Sequence, residues 1–127
     1  MAESEKIPSY PQQVPIDAYG NGGFRFADMS HRGSLLCLPD GMHGWDIATP
    51  DALTPESFRK VIEILQPPAF LLLGTSTEQV FPSLETRRLF ADAGLGLEVM
   101  TTGAACRTYN VLLAEHRSLG AALIAAP

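Results

Sequence analysis

Two short stretches of this chain hold the residue types best suited to chemistry. They are Gly74-Thr75-Ser76-Thr77 and Thr101-Thr102-Gly103, the second followed within a helical turn by Cys106 and Arg107. Each comes directly after an apolar run of strand length, residues 69–73 in one case and 97–100 in the other. In an open α/β sheet, ligands sit beyond the carboxyl ends of the strands. Hydroxyls and glycines at such ends suit an anion, because the free N–H groups of a helix start attract negative charge and a glycine lets it approach closely. The residues that would form this site are Gly74, Thr75, Ser76, Thr101, Thr102, Gly103 and Arg107. The same residue types also make ordinary structural ends: Thr102 suits a helix N-cap and Gly74 a turn. Arg107 is poorly placed for the helix dipole in a first turn. Either a carboxylate, Glu98 or Glu115, or a bound anion would hold it there.

Cys106 is the most enzyme-like group. A thiol in a helix's first turn beside an arginine can ionise more readily than usual. Nucleophilic catalysis also needs a base, and no spacing sets His31, His43 or His116 next to it. Ser76 lacks the G-x-S-x-G elbow of serine hydrolases. The three histidines lack metal-ligand spacing, and neither a Walker loop nor a G-x-G-x-x-G is present. No catalytic residue, cofactor or metal is therefore assigned, and a non-enzymatic role is favoured. His31 and His43 read as exposed turn residues. Cys37, within Leu35-Leu36-Cys37-Leu38, reads as a small core residue, and both thiols as reduced.

The elements that position these residues follow from local patterns. Val14-Pro15-Ile16 and Phe24-Arg25-Phe26 read as short extended pieces around the turn-forming Gly20-Asn21-Gly22-Gly23. Residues 33–38 form an apolar strand, Pro39-Asp40-Gly41 a turn, and Trp45 and Ile47 alternate on a returning strand. Thr54 caps a first helix with Pro55 at its first position, and Phe58, Val61, Ile62 and Leu65 make its buried stripe. Glu56 with Lys60 and Arg59 with Glu63 are its i, i+4 pairs. Residues 69–73, apolar on both faces, suit a central parallel strand. Ser83 starts a second helix with the stripe Thr86, Leu89, Phe90 and Ala93, and Gly94 ends it. Residues 97–100 form a strand, Thr102 caps a third helix, and residues 119–126 form a last strand. That alternation is the signature of a layered α/β fold.

On the third helix, Asn110, Val111 and Ala114 lie off the main apolar stripe of Ala105, Tyr109, Leu112 and Leu113. A helix apolar over more than one face is sandwiched or covered by a partner, so these three residues mark a candidate interaction surface. A separate reading is that the domain is an oligomer-forming module, a homo-oligomer. The chain has 127 residues, 46% of them hydrophobic, and a net charge of −5. That is enough for one domain with a full core, and the acidic balance argues against nucleic acid as a partner. No stretch of about 18 apolar residues exists, so no membrane-spanning helix is expected. Residues 1–13 read as a disordered leader and residues 14–127 as a single α/β domain of a cytoplasmic protein.

One block is more distinctive than any of these patterns. Glu98-Val99-Met100 through Thr102, then Arg107-Thr108-Tyr109-Asn110, and Glu115 and Arg117 before Ala121-Ala122-Leu123-Ile124 resemble the signature of a small single-domain family of long-unknown function. The family includes mitochondrial NADH:ubiquinone oxidoreductase (complex I) assembly factor 3. Gly33-Ser34, Trp45, Gly74 and Pro82 extend the likeness over most of residues 14–126. The resemblance implies a three-layer α/β/α domain with a mixed central sheet and an added β-hairpin. It also implies a non-catalytic assembly or interaction factor whose partners are proteins, such as respiratory complex I subunits or assembly factors. The alternative is a small-anion-binding protein or enzyme using the loops at the strand ends. The chain departs from the family at two places, with Ser76 and His116 standing where relatives often carry glycine.

Overall fold

The computed structural model describes residues 9–127, so most of the expected leader, residues 1–8, lies outside the described residues. Three short strands come first: β1 (Ala18–Gly20), β2 (Gly23–Phe26) and β3 (Met29–Arg32). They form a separate antiparallel sheet in the order β1-β2-β3. The added element is thus three strands, one more than a hairpin. Asn21 and Gly22, both at positive φ, make the tight turn between β1 and β2, the Asn-Gly chemistry of a two-residue hairpin loop. Ala27 and Asp28 make the next turn, also at positive φ. Residues 14–16 are not a strand; the peptide of Ile16 is instead bound by a side chain described below.

The remaining elements are β4 (Ser34–Leu38), β5 (Gly41–Trp45), α1 (Arg59–Ile64), β6 (Phe70–Thr75), α2 (Leu84–Asp92), β7 (Gly96–Met100), α3 (Thr102–Ala114) and β8 (Leu119–Ile124). Five of them make the main sheet, in the order β5-β4-β8-β6-β7. β6 runs parallel to both β7 and β8, while β4 is antiparallel to β5 and β8, so the sheet is mixed. Period-two alternation sorts its side chains to two cores. Leu35, Cys37, Leu72, Ala121 and Leu123 pack with Ala105 and Tyr109 of α3 and with Phe24 and Phe26 of the small sheet. Leu36, Leu38, Leu71, Leu73 and Ile124 pack on the other face with Phe58, Val61 and Leu65 around α1 and with Phe90 of α2. Helices therefore cover both faces, which is the expected α/β/α layering.

The caps explain where the first two helices start. Thr54 and Ser57 form a reciprocal capping box, and the first turn, Pro55–Phe58, is 3₁₀ before α1 begins. On the surface of this segment Arg59 meets Glu56, i to i+3, at 2.9 Å, and not Glu63. Ser83 caps α2 by accepting from the Thr86 N–H. The two surface histidines of the sequence reading are strand residues. His43 lies opposite Leu36 in the β4–β5 register, so it faces the α1 side, buried, with Nε2 2.7 Å from Asp40. His31 is half-buried on β3 and its Nε2 lies 3.0 Å from the Ser34 carbonyl.

Candidate functional site

β7 and β8 flank β6 on opposite sides, and the crossover helices α2 and α3 pack on opposite faces. The carboxyl end of β6 is therefore the topological switch point, where an open α/β sheet usually leaves a crevice. Gly74, Thr75 and Ser76 sit there, with Thr101, Thr102 and Gly103 beside them. The structure brings together six of the residues expected to form the site; among the described residues, no side-chain hydrogen bond ties Arg107 to them. It also fills the space between them.

Thr102 does most of the filling. The N-cap of α3 is Thr101, whose hydroxyl accepts from the Ala104 N–H at 3.4 Å; Thr102, assigned that role from sequence, is the first helical residue. Its buried hydroxyl donates to the Ile124 carbonyl at 2.7 Å and accepts the Ser76 N–H at 2.8 Å. The Thr102 N–H donates to the Ser76 carbonyl at 2.9 Å. One side chain and its amide thus tie the β6 loop, the start of α3 and the end of β8. The Thr75 hydroxyl donates to the Glu78 carbonyl at 2.6 Å, accepts from the Val80 N–H at 3.0 Å and lies 3.2 Å from the Met100 carbonyl.

Two N–H groups of the helix start are engaged within the fold. Those of Thr102 and Ala104 are taken by Ser76 and Thr101, and Gly103 is covered by the Tyr19 ring of β1. A Cβ at Gly103 would strike the Tyr19 hydroxyl, so this glycine admits an aromatic ring from the small sheet. Gly74 has a similar purpose: a Cβ there would come within 2.9 Å of Thr102 Cα and 3.2 Å of Ala105 Cβ. Both glycines serve close packing.

Arg107 is exposed, and among the described residues no carboxylate lies within salt-bridge distance of it; the expected Glu98 or Glu115 partner is not engaged. Asn110 turns inward. Its Oδ1 accepts the Ile16 N–H and its Nδ2 donates to the Ile16 carbonyl, each at 2.8 Å, so its amide is committed to the fold. Val111 and Ala114 face water, Val111 at 58% exposure.

Cys106 is buried against the core, and burial pushes its thiol from an ordinary value near 9.0 up to about 12, with Arg107 offsetting only part. Cys37 is raised by burial as well. Neither is a poised nucleophile. The sign of the pH effect follows: between about 9 and 12 the unfolded chain has released the Cys106 proton and the native state keeps it. This thiol's contribution is therefore full below pH 9 and lost as pH rises toward 12, at about 1.4 kcal/mol per unit. Urea titrations at pH 8 and pH 11 should show that loss, and Cys106→Ala should shrink it. Equal slopes in the two proteins would contradict the burial of this thiol.

The sequence reading missed the largest apolar exposure. Val80, Phe81 and Leu84, around the start of α2, stand 39%, 62% and 54% exposed. They adjoin β7, an edge strand of the main sheet, on which Gln79 Nε2 donates to the Val99 carbonyl at 2.9 Å. The available signal was the absence of any buried partner stripe in residues 79–84.

The model of a protein family of unknown function, DUF498/DUF598, matches residues 16–124. The chain belongs to that family. Its relatives include the NADH dehydrogenase [ubiquinone] 1 alpha subcomplex assembly factor 3 of Mus musculus, 32% identical over 93% of this chain. The match spans 64% of the mouse protein's length. An uncharacterised protein of Rhodobacter capsulatus is 36% identical over 94% of this chain and 91% of its own. The crystal structure of a Bartonella henselae protein described as an outer membrane protein superposes with a TM-score of 0.86 at 46% identity, covering 93% of this chain and 99% of that one. Among the described residues of this family member, no helix is long and apolar enough to cross a membrane.

Ser76 and His116, the two positions where the resemblance leads one to expect glycine, share a backbone conformation. Both hold left-handed φ, 73° and 61°. His116 sits just past the end of α3, where its N–H bonds Leu113 and the Arg117 N–H bonds Leu112, the double closure of a Schellman motif. His116→Gly and Ser76→Gly should each stabilise the domain by about 1 kcal/mol, since a side chain is strained in this region. Thermal melts would record a rise of about 4 °C each. A fall at position 116 would contradict the closure.

Proposed function

We propose that this family member is a non-catalytic protein-interaction factor, acting in the assembly of a larger complex such as respiratory complex I. The observation that carries the reading is the pairing of a closed switch point with large apolar side chains left in water, Phe81 and Leu84 above all. Contiguous exposed apolar groups mark partner surfaces, and aromatic ones tend to dominate binding. The names of the assembly-factor relatives support it from the side of sequence. Val111 and Ala114 on the outer flank of α3 form a second, smaller contact. The cytoplasm is taken as the protein's compartment, in keeping with two buried free thiols.

Quantitative affinity capture from native extract tests this. Phe81→Glu should reduce recovery of the specific partner by about tenfold or more, and Val111→Glu by less, with both variants folded. Recovery equal to wild type with both variants would remove these surfaces from the account. The small-anion reading of the loops at residues 74–77 and 101–103 is the alternative: the Thr75 and Thr102 hydroxyls are engaged by backbone groups of the fold, while Arg107 is exposed.

A further inference from the structure

The small sheet carries a charged cavity that neither the closed switch point nor the apolar surface uses. Residues opposite one another in its registers share a face: Ala18, Arg25 and Ser30 in one row, Gly20, Gly23 and Arg32 in the next. Arg25 and Arg32 therefore project on the same side of adjacent strands, one diagonal step apart. The alternate side chains, Phe24 and Phe26, point into the core. With alanine, serine and glycines beside them, the two guanidiniums rise from a floor of small residues. This face is concave, with a volume of about 390 Å³. Arg25 Nη1 donates to the Ser30 hydroxyl, which holds its guanidinium along the sheet.

Among the described residues, no carboxylate lies within salt-bridge distance of Arg25 or Arg32; Asp17 and Asp28, the nearest acids in sequence, pair with neither. Two uncompensated guanidiniums on neighbouring strands repel each other, in a chain whose net charge is −5. A planar guanidinium presents a fork of donors matched to carboxylate and phosphate oxygens, and two forks over that floor match an anion with two charged edges.

We propose that this cavity binds a compact oxygen dianion, of the size of phosphate or a short dicarboxylate, between Arg25 and Arg32. The proposal goes beyond the protein-interaction reading and does not depend on it. Titration of isotopically labelled protein with inorganic phosphate and with malonate, at constant ionic strength set by chloride, tests it. Saturable amide shifts are expected at Gly20, Gly23, Arg25, Ser30 and Arg32 with both dianions and not with chloride. Arg32→Gln should weaken the affinity about tenfold, and Arg25→Gln with Arg32→Gln should abolish saturation. Both arginines are exposed, so the variants should keep the wild-type melting temperature and the comparison stays valid. Shifts that chloride reproduces, or that persist unchanged in the double variant, would overturn the proposal.

Discussion

Replacing Thr102 by valine should lower the stability of the domain by about 2–4 kcal/mol, although the two side chains have nearly the same shape. The hydroxyl joins two backbone groups that have been taken from water, the Ile124 carbonyl and the Ser76 N–H. A methyl group in its place leaves both unpaired, and each buried orphan costs about 1–3 kcal/mol. For a domain of this size the melting temperature should fall by roughly 10 °C. Thr102→Ser keeps the hydroxyl and should recover most of the loss. A valine variant as stable as wild type would show that the junction is held by something else.

Gly74→Val is the second large effect. The new Cβ would lie 2.9 Å from Thr102 Cα, 3.0 Å from its Oγ1 and 3.2 Å from Ala105 Cβ. The first of these is backbone, so relief requires moving the start of α3 away from β6. Overpacking of this kind costs about 1–3 kcal/mol, and valine belongs at the upper end. Denaturant titration measures it directly. Because Gly74 and Thr102 touch, the double variant should cost less than the two losses added together. If Gly74 instead served to admit a ligand, Gly74→Val would leave the stability of the empty protein unchanged.

The parts of the fold that were legible in the sequence are those written locally. Thr54-Pro55 and Ser83 announce helix starts because a cap needs only residues within one turn. Residues 69–73 announce a central strand because both their faces are apolar. β3 was not legible: its turn puts Ala27 at φ of 49° ahead of Asp28 at 62°, where sequence rules look for glycine, asparagine or aspartate and not alanine. The start of α3 was misplaced by one residue because Thr101 and Thr102 are the same amino acid. What separates them is tertiary, the carbonyl of Ile124 22 residues away in sequence. His43 was set at the surface because a turn precedes it, whereas its face is decided by the β4–β5 register opposite Leu36. The hydroxyls and glycines at the two strand ends were conspicuous in the sequence. Whether those hydroxyls point to a ligand or to each other depends on the packing of three segments, which spacing does not encode.

A switch point closed by its own hydrogen bonds leaves function to the outer surfaces, as proposed above. Native-state hydrogen exchange at the Ser76 amide measures that closure most directly. This N–H belongs to a loop residue at a half-buried position, and its partner is the Thr102 hydroxyl. Exchange of Ser76 should be slowed to within about tenfold of the core amides of β6, opening only when the domain unfolds globally. Exchange at the rate of the exposed loop amides nearby would contradict the closure and return the strand ends to the list of open binding sites.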